Sequence, residues 1–383
     1  MSSLDAAPAL HLGPPREAFY DPSWFERDLE TIFIPRWQFA GHIDDLAEPG
    51  AYFKYVIGQN EVIVCRRSDG GLVAYHNVCR HRAYRLVQER QGKLRRNVTC
   101  GYHGWSYSRE DGACVSATRM PEGFDRCAWG LHRVWVEDFR GLVFVCLAEE
   151  PPESIATAAA PLLDAAGGLS GYDMDGMRVA ATEEWMVNAN WKVVKENDDE
   201  CYHCALNHPE LARSYDPWSN MSANEGEEPD LDAQWTTEDW AKNELGSVYT
   251  QGRICEIPMP RTDGPGTFDA EEVQLFWLAG GHIIFINDYA RLSSFIPIGP
   301  EQTLQQYWWF VAKDAVEGRD YNREDLMELL GTTSRQDIRL CEEVQRGLRM
   351  PSYTPGPLNL DHQAPIAAFY RWYEEQLASH GEA

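Results

Sequence analysis

Two short pairs of residues, Cys79-Arg80-His81 and Cys100-Gly101-Tyr102-His103, decide how this chain folds. Each pair offers one thiol and one imidazole, and eighteen residues separate His81 from Cys100. Four such side chains can hold a two-iron cluster, with two sulfurs on one iron and two nitrogens on the other. Cys and His at these spacings also make tetrahedral zinc sites, so ligand chemistry alone leaves zinc open.

The residues around both pairs carry a more specific pattern. This pattern resembles the two cluster loops of a Rieske [2Fe-2S] domain of the ring-hydroxylating oxygenase type. The residues that carry the resemblance are Asn77-Val78-Cys79-Arg80-His81-Arg82 and Cys100-Gly101-Tyr102-His103-Gly104-Trp105-Ser106-Tyr107, with Asp111-Gly112 beyond. The resemblance implies a cluster held by the side chains of Cys79, His81, Cys100 and His103.

The chain departs from that family pattern in two places. The stretch between His81 and Cys100 is longer than is usual in the family, and Ala83 stands where the family commonly has Gly. An alanine must therefore accept a tight turn. Neither departure removes a ligand. The extra cysteine pair of the respiratory Rieske proteins is absent from the sequence, which favours the oxygenase branch.

Length and charge limit the class of protein. The 383 residues are enough for two domains, and the net charge of −26 argues against nucleic acid or an anionic membrane as a partner. The ten cysteines are spread out, and neither a secretory signal nor a long apolar run is visible. We therefore expect a reduced, cytoplasmic protein.

The resemblance covers nearly the whole chain and implies an α+β fold. A small all-β Rieske domain would precede a helix-grip catalytic domain of the START/Bet v1 type, in which mixed strands wrap around one long helix. We predict an N-terminal arm and helix over residues 1–36 that packs on the catalytic domain, the Rieske domain over residues 37–150, and the catalytic domain over residues 151–383. The acidic stretch from Ala223 to Glu272 predicts a long connection, and such segments are often lids in enzymes.

A second metal motif lies between Glu196 and Pro209. His203 and His208 are five residues apart, about 140° around an ideal helix, so both reach one metal only where the helix is distorted or ends. Pro209 makes an ending plausible. The string Glu-x-x-His-x4-His, which follows Asn190-Trp191-Lys192, resembles the mononuclear iron motif of the same family, and implies that both histidines bind iron.

A non-haem iron site of this kind also needs a carboxylate. Asp337, Cys341, Val344 and Leu348 fall at helical spacing i, i+4, i+7 and i+11 in the last predicted helix, about Arg323 to Leu348, and this stripe should face the core. The family's third ligand comes from a helix in this place, so the resemblance implies Asp337. A buried salt bridge is the alternative for this acid.

Glu200 precedes His203 by three residues, which predicts that both lie on the same side of a helix. The resemblance implies that Glu200 bridges a Rieske histidine of one subunit and an iron-binding histidine of the next. Most members of the family use Asp there, and Glu keeps the hydrogen-bonding role. Cys201 and Cys204 form a CxxC inside this motif, and we interpret them as packing residues rather than a redox pair.

Together the two motifs predict a terminal oxygenase. Glu200, His203, His208 and Asp337 would form its catalytic centre, and electrons would pass from the [2Fe-2S] cluster through His103, Glu200 and His203 to a mononuclear Fe(II). The family resemblance implies a homotrimer. A separate NAD(P)H-dependent reductase of the flavin or ferredoxin type is expected, since no nucleotide fingerprint occurs in the sequence. A Rieske electron carrier without oxygenase activity is the alternative from another class.

The substrate is a small organic molecule that composition does not identify. The form of the motif from Glu200 to Leu211 resembles the branch that oxidises quaternary ammonium compounds such as glycine betaine, stachydrine and carnitine. That likeness implies oxidative N-demethylation, and hydroxylation of an aromatic acid is the runner-up. Five rings are candidates for a cage around the cation, those of Trp218, Trp235, Trp240, Phe276 and Trp277.

The stretch between the two cysteines of the cluster motif is basic in an otherwise acidic chain. It contains one acid, Glu89, and seven basic residues, namely Arg80, Arg82, Arg85, Arg90, Lys93, Arg95 and Arg96. This excess of positive charge can neutralise the cluster, anchor a neighbouring subunit or steer an acidic reductase domain to the cluster.

Overall fold

The computed structural model of the protein describes residues 13–165, 171–213, 253–268, 273–277 and 280–379. The chain divides into two compact units, one formed by residues 29–164 and 174–179 and the other by residues 1–28, 165–173 and 180–383. No helix among the described residues is both long enough and apolar enough to cross a membrane.

The first unit is built from short strands, as the alternation of its Val, Tyr and Phe residues predicts. Its strands are β1 (Gln38–His42), β2 (Ala51–Ile57), β3 (Asn60–Arg66), β4 (Leu72–His76), β5 (Gln91–Lys93), β6 (Asn97–Thr99), β7 (Ser106–Ser108), β8 (Cys114–Ser116), β9 (Arg133–Phe139) and β10 (Leu142–Cys146). Seven of them form an antiparallel sheet in the order β1-β10-β9-β4-β3-β2-β5, and β6-β7-β8 form a second sheet. Helix α2 (Ile155–Ala165) follows the last strand.

The turn between β3 and β4 sets the register in which these two strands pair. Asp69-Gly70-Gly71 occupies it, Gly70 has a φ of +90°, and the N–H of Arg67 donates to the carbonyl of Gly71 at 2.8 Å. Glycine adopts this backbone conformation without a steric penalty. This turn lets β3 and β4 pair directly as an antiparallel hairpin.

The second unit combines strands and helices. A short helix α1 (Pro22–Asp28) comes first and runs into a π-helical turn over Leu29–Phe33. The other elements are β11 (Met177–Val187), α3 (Trp191–Asp198), α4 (Cys204–Asn207), β12 (Val273–Trp277), β13 (Gly281–Phe285), β14 (Ala290–Gly299), β15 (Gln302–Ala312), α5 (Arg323–Leu348) and α6 (Leu360–Ser379).

The five strands of this unit form one sheet around the long helix. Their order is β11-β15-β14-β13-β12, and side chains of β15 share a hydrophobic core with those of α3 and α5. Helix α5 has the predicted bounds and begins at an N-cap, where the Asn322 side chain accepts a hydrogen bond from Glu324 N–H. The predicted α+β fold is confirmed.

The predicted core stripe of α5 is wrong at one position. Val344 is 49% exposed, whereas Cys341 and Leu348 are buried. Gln345 takes the buried place, because its side chain accepts from the N–H of Asn190 at 2.9 Å and donates to the carbonyl of Phe19 at 3.1 Å. Two backbone groups that would otherwise be buried without partners are satisfied in this way.

Asn190-Trp191-Lys192 at the start of α3 has a structural role. Asn190 caps the helix, and the next two side chains donate to one buried carboxylate, that of Asp28 at the end of α1. Tyr373 of α6 donates to the other oxygen of Asp28 at 2.6 Å. A buried charge is stable only when it is paired and hydrogen-bonded, so this network ties three helices of the unit together.

Candidate metal centres

Each predicted cluster loop folds back on its own cysteine. In the first loop, Cys79 N–H donates to the carbonyl of Tyr84 at 2.9 Å, and Ala83 has a φ of +53°. The predicted tight turn at this alanine is therefore confirmed. In the second loop, Cys100 N–H donates to the carbonyl of Trp105 at 2.7 Å, and Gly104 has a φ of +73°.

The four predicted cluster ligands converge. Cys79 and Cys100 are each 2% exposed, and the rings of His81 and His103 have centroids 4.6 Å apart. The ring of His81 stacks on Trp105 at 4.9 Å. Sequence reasoning had not singled out this support, which comes from the aromatic residue two positions after His103.

The polar atoms at this site fit a bound cluster. Nδ1 of His81 is buried and has no hydrogen-bond partner among the described residues. Burial raises the pKa of the Cys100 thiol, and contact with Cys79 raises it further. Such thiols give up their protons when a metal replaces them.

The second predicted site is built where a helix ends. Helix α3 stops at Asp198, and a single helical turn, α4, then separates His203 at its N-terminal end from His208 at its C-terminal end. The predicted interruption of the helix is confirmed. It allows two histidines five residues apart to face the same point.

Three atoms meet at that point. Nε2 of His203 lies 3.2 Å from Oδ1 of Asp337, and Nε2 of His208 lies 2.9 Å from the same oxygen. The second contact is short without being a well-directed hydrogen bond, so Nε2 of His208 has no hydrogen-bond partner in the described part of the chain. Ligands that bind one metal at about 2.1 Å and at right angles lie about 3.0 Å apart, so the spacing fits a metal held on one face.

The other nitrogen of each imidazole is also engaged. Nδ1 of His203 lies 2.9 Å from Oε1 of Glu200, and Nδ1 of His208 lies 2.8 Å from Oε1 of Gln336. Gln336 in turn donates to Glu210 at 3.0 Å. An acceptor at Nδ1 places the proton there and leaves Nε2 free to bind a metal. Gln336 belongs to no motif and had not been predicted.

The ionisable side chains at this site shift one another's pKa values. Burial opposes protonation of His203, yet hydrogen bonds to Asp337 and Glu200 raise the pKa of His203 to about 9. Burial would raise the pKa of Asp337, but its contacts with His203 and His208 hold that pKa below its usual value. A proton on His203 therefore occupies the place where a cation binds, and metal binding would release it.

Two predictions about this motif are wrong. Glu200 lies in the connection between α3 and α4 rather than on a helix. It reaches His203 because its carboxylate also accepts the backbone N–H groups of Tyr202 and His203. Cys201 and Cys204 are not simple packing residues, because a disulfide joins them. Three residues of a tight turn bring their Cα atoms to 4.9 Å, within the range that a disulfide spans.

The disulfide also narrows the choice of metal ligands. A ligand nitrogen of His203, one of His208 and the Sγ atom of Cys204 lie within 4.8 Å of one another. A sulfur that is bonded to another sulfur is not a thiolate, so Asp337 is the better third donor in this oxidation state.

The predicted aromatic cage remains a prediction. Trp218, Trp235 and Trp240 lie outside the described residues. The structure describes Phe276 and Trp277 as part of β12 but not the placement of their side chains. The predicted connection from Ala223 to Glu272 likewise lies largely outside the described residues.

Known proteins resemble both units. Residues 36–137 match the model of the Rieske [2Fe-2S] domain, and residues 174–379 match that of the ring hydroxylating alpha subunit (catalytic domain). The glycine betaine monooxygenase oxygenase subunit of Chromohalobacter salexigens is 34% identical over 96% of this chain and 86% of its own length. The carnitine monooxygenase oxygenase subunit of Acinetobacter baumannii is 29% identical over 88% of this chain and 85% of its own.

A solved structure shares the fold. It is the quaternary ammonium Rieske monooxygenase CntA in complex with its substrate L-carnitine, with a TM-score of 0.74 and 24% identity. The superposition covers 96% of each chain.

Proposed function

The chain belongs to the Rieske ring-hydroxylating oxygenase family and is an oxidoreductase, and on that premise we propose that it demethylates a small quaternary ammonium compound of the betaine type. The observation that carries the substrate class is its likeness, over nearly its whole length, to relatives named for glycine betaine and carnitine.

We assign each metal to a set of side chains. The family binds a Rieske [2Fe-2S] cluster and a mononuclear iron. The cluster is assigned to Cys79, His81, Cys100 and His103, and the iron to His203, His208 and Asp337. An iron held by two imidazoles and one carboxylate leaves positions open for dioxygen, and the cluster supplies the electrons.

The surrounding residues prepare the histidines for this role. Glu200 and Gln336 hold the Nδ1 protons of His203 and His208, which turns both Nε2 lone pairs toward Asp337. Glu200 is also assigned the bridge from His103 of a neighbouring subunit to His203. A carboxylate suits this role, since it accepts hydrogen bonds from two imidazoles at once.

The reaction follows from the substrate's chemistry. Dioxygen, two electrons and two protons convert one N-methyl group to N-hydroxymethyl and release water. The C–N bond of this product then breaks, the hydroxyl proton leaves, and formaldehyde and a tertiary amine are formed. The electrons come from NAD(P)H through a separate reductase, and the working assembly is proposed to be a homotrimer.

The experiment is to supply the reduced protein and a surrogate reductase with glycine betaine, proline betaine, carnitine and a panel of aromatic acids. One formaldehyde per dioxygen consumed is expected from a betaine. A phenol or diol from an aromatic acid, without formaldehyde, would favour ring hydroxylation instead. A cluster that is reduced by the surrogate reductase, with no dioxygen uptake on any of these compounds, would leave only an electron carrier.

A further inference from the structure

Arg291 is a buried cation on the inner face of the catalytic sheet. It is 4% exposed, and its guanidinium lies 4.3 Å from the centre of the Tyr307 ring. Nη1 donates to the carbonyl of Leu330 at 3.4 Å and Nη2 to Oγ of Ser334 at 2.5 Å. Among the described residues, Nε has no hydrogen-bond partner and no carboxylate forms an ion pair with the guanidinium.

A second donor without an acceptor lies beside it. Trp309 is the cross-strand partner of Arg291, so both side chains leave the sheet on the same face. Trp309 is fully buried, its indole Nε1 has no hydrogen-bond partner in the described part of the chain, and its ring centre lies 5.5 Å from the guanidinium. Buried N–H groups without acceptors are rare, because they lose their hydration and gain nothing in return.

These two observations call for the same ligand. A buried guanidinium needs a negative counter-charge, and its planar N–H groups match a carboxylate in geometry. The aromatic rings offer the cation their faces but cannot accept its N–H hydrogen bonds in the way an oxyanion can. An anionic oxygen at this position would satisfy Nε of Arg291 and Nε1 of Trp309 together.

The position of this pair relative to the proposed iron ligands suits a betaine. Ser334, which contacts Arg291, precedes Asp337 by three residues on α5, and side chains at that spacing lie about 5–6 Å apart on one side of a helix. With C–C and C–N bonds of about 1.5 Å, the carboxyl carbon of glycine betaine lies about 3–4 Å from its N-methyl carbons. One end of such a molecule can reach the arginine while a methyl group lies at the metal.

We propose that Arg291 and Trp309 bind the carboxylate of the substrate, an inference that rests on the proposed function. They would make the enzyme selective for betaines over analogues that lack a carboxylate, such as choline. A quaternary nitrogen has no N–H to donate, so hydrogen bonds cannot recognise it. The carboxylate is the group on which directional recognition depends. Arg291 is thus a specificity-determining residue of the active site.

The test is a cycle that removes the carboxylate from the ligand and the guanidinium from the protein. Calorimetric titration measures the dissociation constants of glycine betaine and of choline for the wild type, Arg291→Lys and Arg291→Gln. We expect the wild type to prefer glycine betaine by about 10- to 100-fold, as a charge-assisted hydrogen bond predicts. Arg291→Gln should bring the ratio close to one, and Arg291→Lys should give an intermediate value.

Two further variants make the test specific. Trp309→Phe keeps the ring and removes only the N–H, so it should weaken binding of glycine betaine but not of choline. Arg339→Gln removes an exposed arginine from the same helix as Ser334 and should leave both constants unchanged. An undiminished preference for glycine betaine in folded Arg291→Gln would overturn the proposal.

The outcome also separates this inference from the proposed function. If the wild type binds benzoate but no betaine, the proposed substrate is wrong. The carboxylate site then stands only if Arg291→Gln weakens benzoate binding. If the Arg291 variants do not fold, the two dissociation constants of the wild type decide the question. Equal affinity of the wild type for glycine betaine and choline then overturns the proposed carboxylate site.

Discussion

At the scale of single residues, the proposed iron site depends on side chains that do not touch the metal. A carboxylate oxygen of Glu200 accepts from Nδ1 of His203, and the amide oxygen of Gln336 accepts from Nδ1 of His208. Both acceptors are held in place by other hydrogen bonds. Neighbours of this kind fix the tautomer and the direction of an imidazole.

Glu200→Gln should leave both metals bound but slow turnover by about 10- to 100-fold, because Gln lacks the charge and one of the oxygens that orient the histidines. The cluster should then accumulate in its reduced form, which its visible absorbance reports. Glu342→Gln changes a carboxylate that accepts two hydrogen bonds from the exposed Asn188; it is the control and should turn over normally.

Asp337→Ala should instead lose the mononuclear iron while keeping the cluster, as metal analysis would show. Full iron content and activity in this variant would mean that another residue is the third ligand.

Glu196 on α3 is a second residue whose environment predicts a measurable effect. Burial raises its pKa to about 7, against a hydrogen bond from Tyr370 that lowers it. Because the folded pKa lies above the ordinary value of 4.5, the neutral acid favours folding below about pH 4.5, and this contribution is lost as the pH rises through 7. The loss amounts to about 3 kcal/mol at most.

Glu196→Gln is uncharged at every pH and should therefore raise the melting temperature more at pH 8.5 than at pH 5.5. Thermal unfolding of the two proteins across this range measures the difference. Glu374→Gln, on the exposed side of α6, should not change the pH dependence. A constant difference in melting temperature between wild type and Glu196→Gln would show that the buried acid does not titrate in this range.

At the scale of elements, the short helix α4 holds the two proposed histidine ligands at the distance a metal needs. It has a single turn, too short to be stable alone, and the Cys201–Cys204 disulfide closes the turn that leads into it. The eight other cysteines form no disulfide.

Reduction of this disulfide, or the double change Cys201→Ser and Cys204→Ser, should loosen the turn and speed the loss of iron to a chelator several-fold, because the two imidazoles are then less well preorganised. Iron release is followed by absorbance of a chelator complex. Cys127→Ser changes an exposed free cysteine of the first unit and serves as the control. Identical release rates for the bridged and unbridged proteins would limit the disulfide to packing.

At the scale of the whole molecule, the basic stretch between the cluster loops is not uniform. Arg85 and Lys93 are neutralised by ion pairs with Glu61 and Glu48, and Arg80 donates to the carbonyl of Gly130. Arg95 and Arg96 are exposed, and no described carboxylate forms an ion pair with either. Arg82 is exposed as well, and we propose that Arg95 and Arg96, adjacent in the chain, are the part of the stretch that steers an acidic reductase domain.

Arg95→Glu combined with Arg96→Glu should slow reduction of the cluster by the reductase at low salt and have less effect at high salt, because screening weakens steering between charged surfaces. Stopped-flow bleaching of the cluster measures the rate. Arg323→Glu with Arg339→Glu makes the same change in net charge on exposed residues of α5 and should leave the rate unchanged. Equal slowing by both pairs would point to net charge rather than to a docking surface.

The proposed trimer predicts that two inactive variants restore activity when they assemble together, which transfer within a single chain would not allow. A variant without the cluster, Cys79→Ala, and a variant without the iron, Asp337→Ala, should each be inactive. In a ring of three, a mixture of both has one junction at which an intact cluster faces an intact iron site, so mixed trimers should recover roughly one third of wild-type activity. Complete inactivity of purified mixed trimers would exclude transfer between neighbours.

The sequence by itself determined the two motifs, the family and the bounds of helix α5, because these depend on local chemistry. A thiol, an imidazole, a glycine turn or an alternating strand is visible from its neighbours in the chain. Even the strained turn at Ala83 could be predicted, since a tight loop leaves few other conformations.

The tertiary structure decided what lies between distant segments. Gln336 beside His208, Asp28 beneath Trp191, and Arg291 beside Trp309 are contacts between elements far apart in the chain. Packing also decided that Val344 is exposed, and the path of the backbone brought Cys201 and Cys204 together in a disulfide. Helical spacing indicates which side of an element a residue lies on, but the burial of that side depends on which polar groups of other elements must be satisfied there.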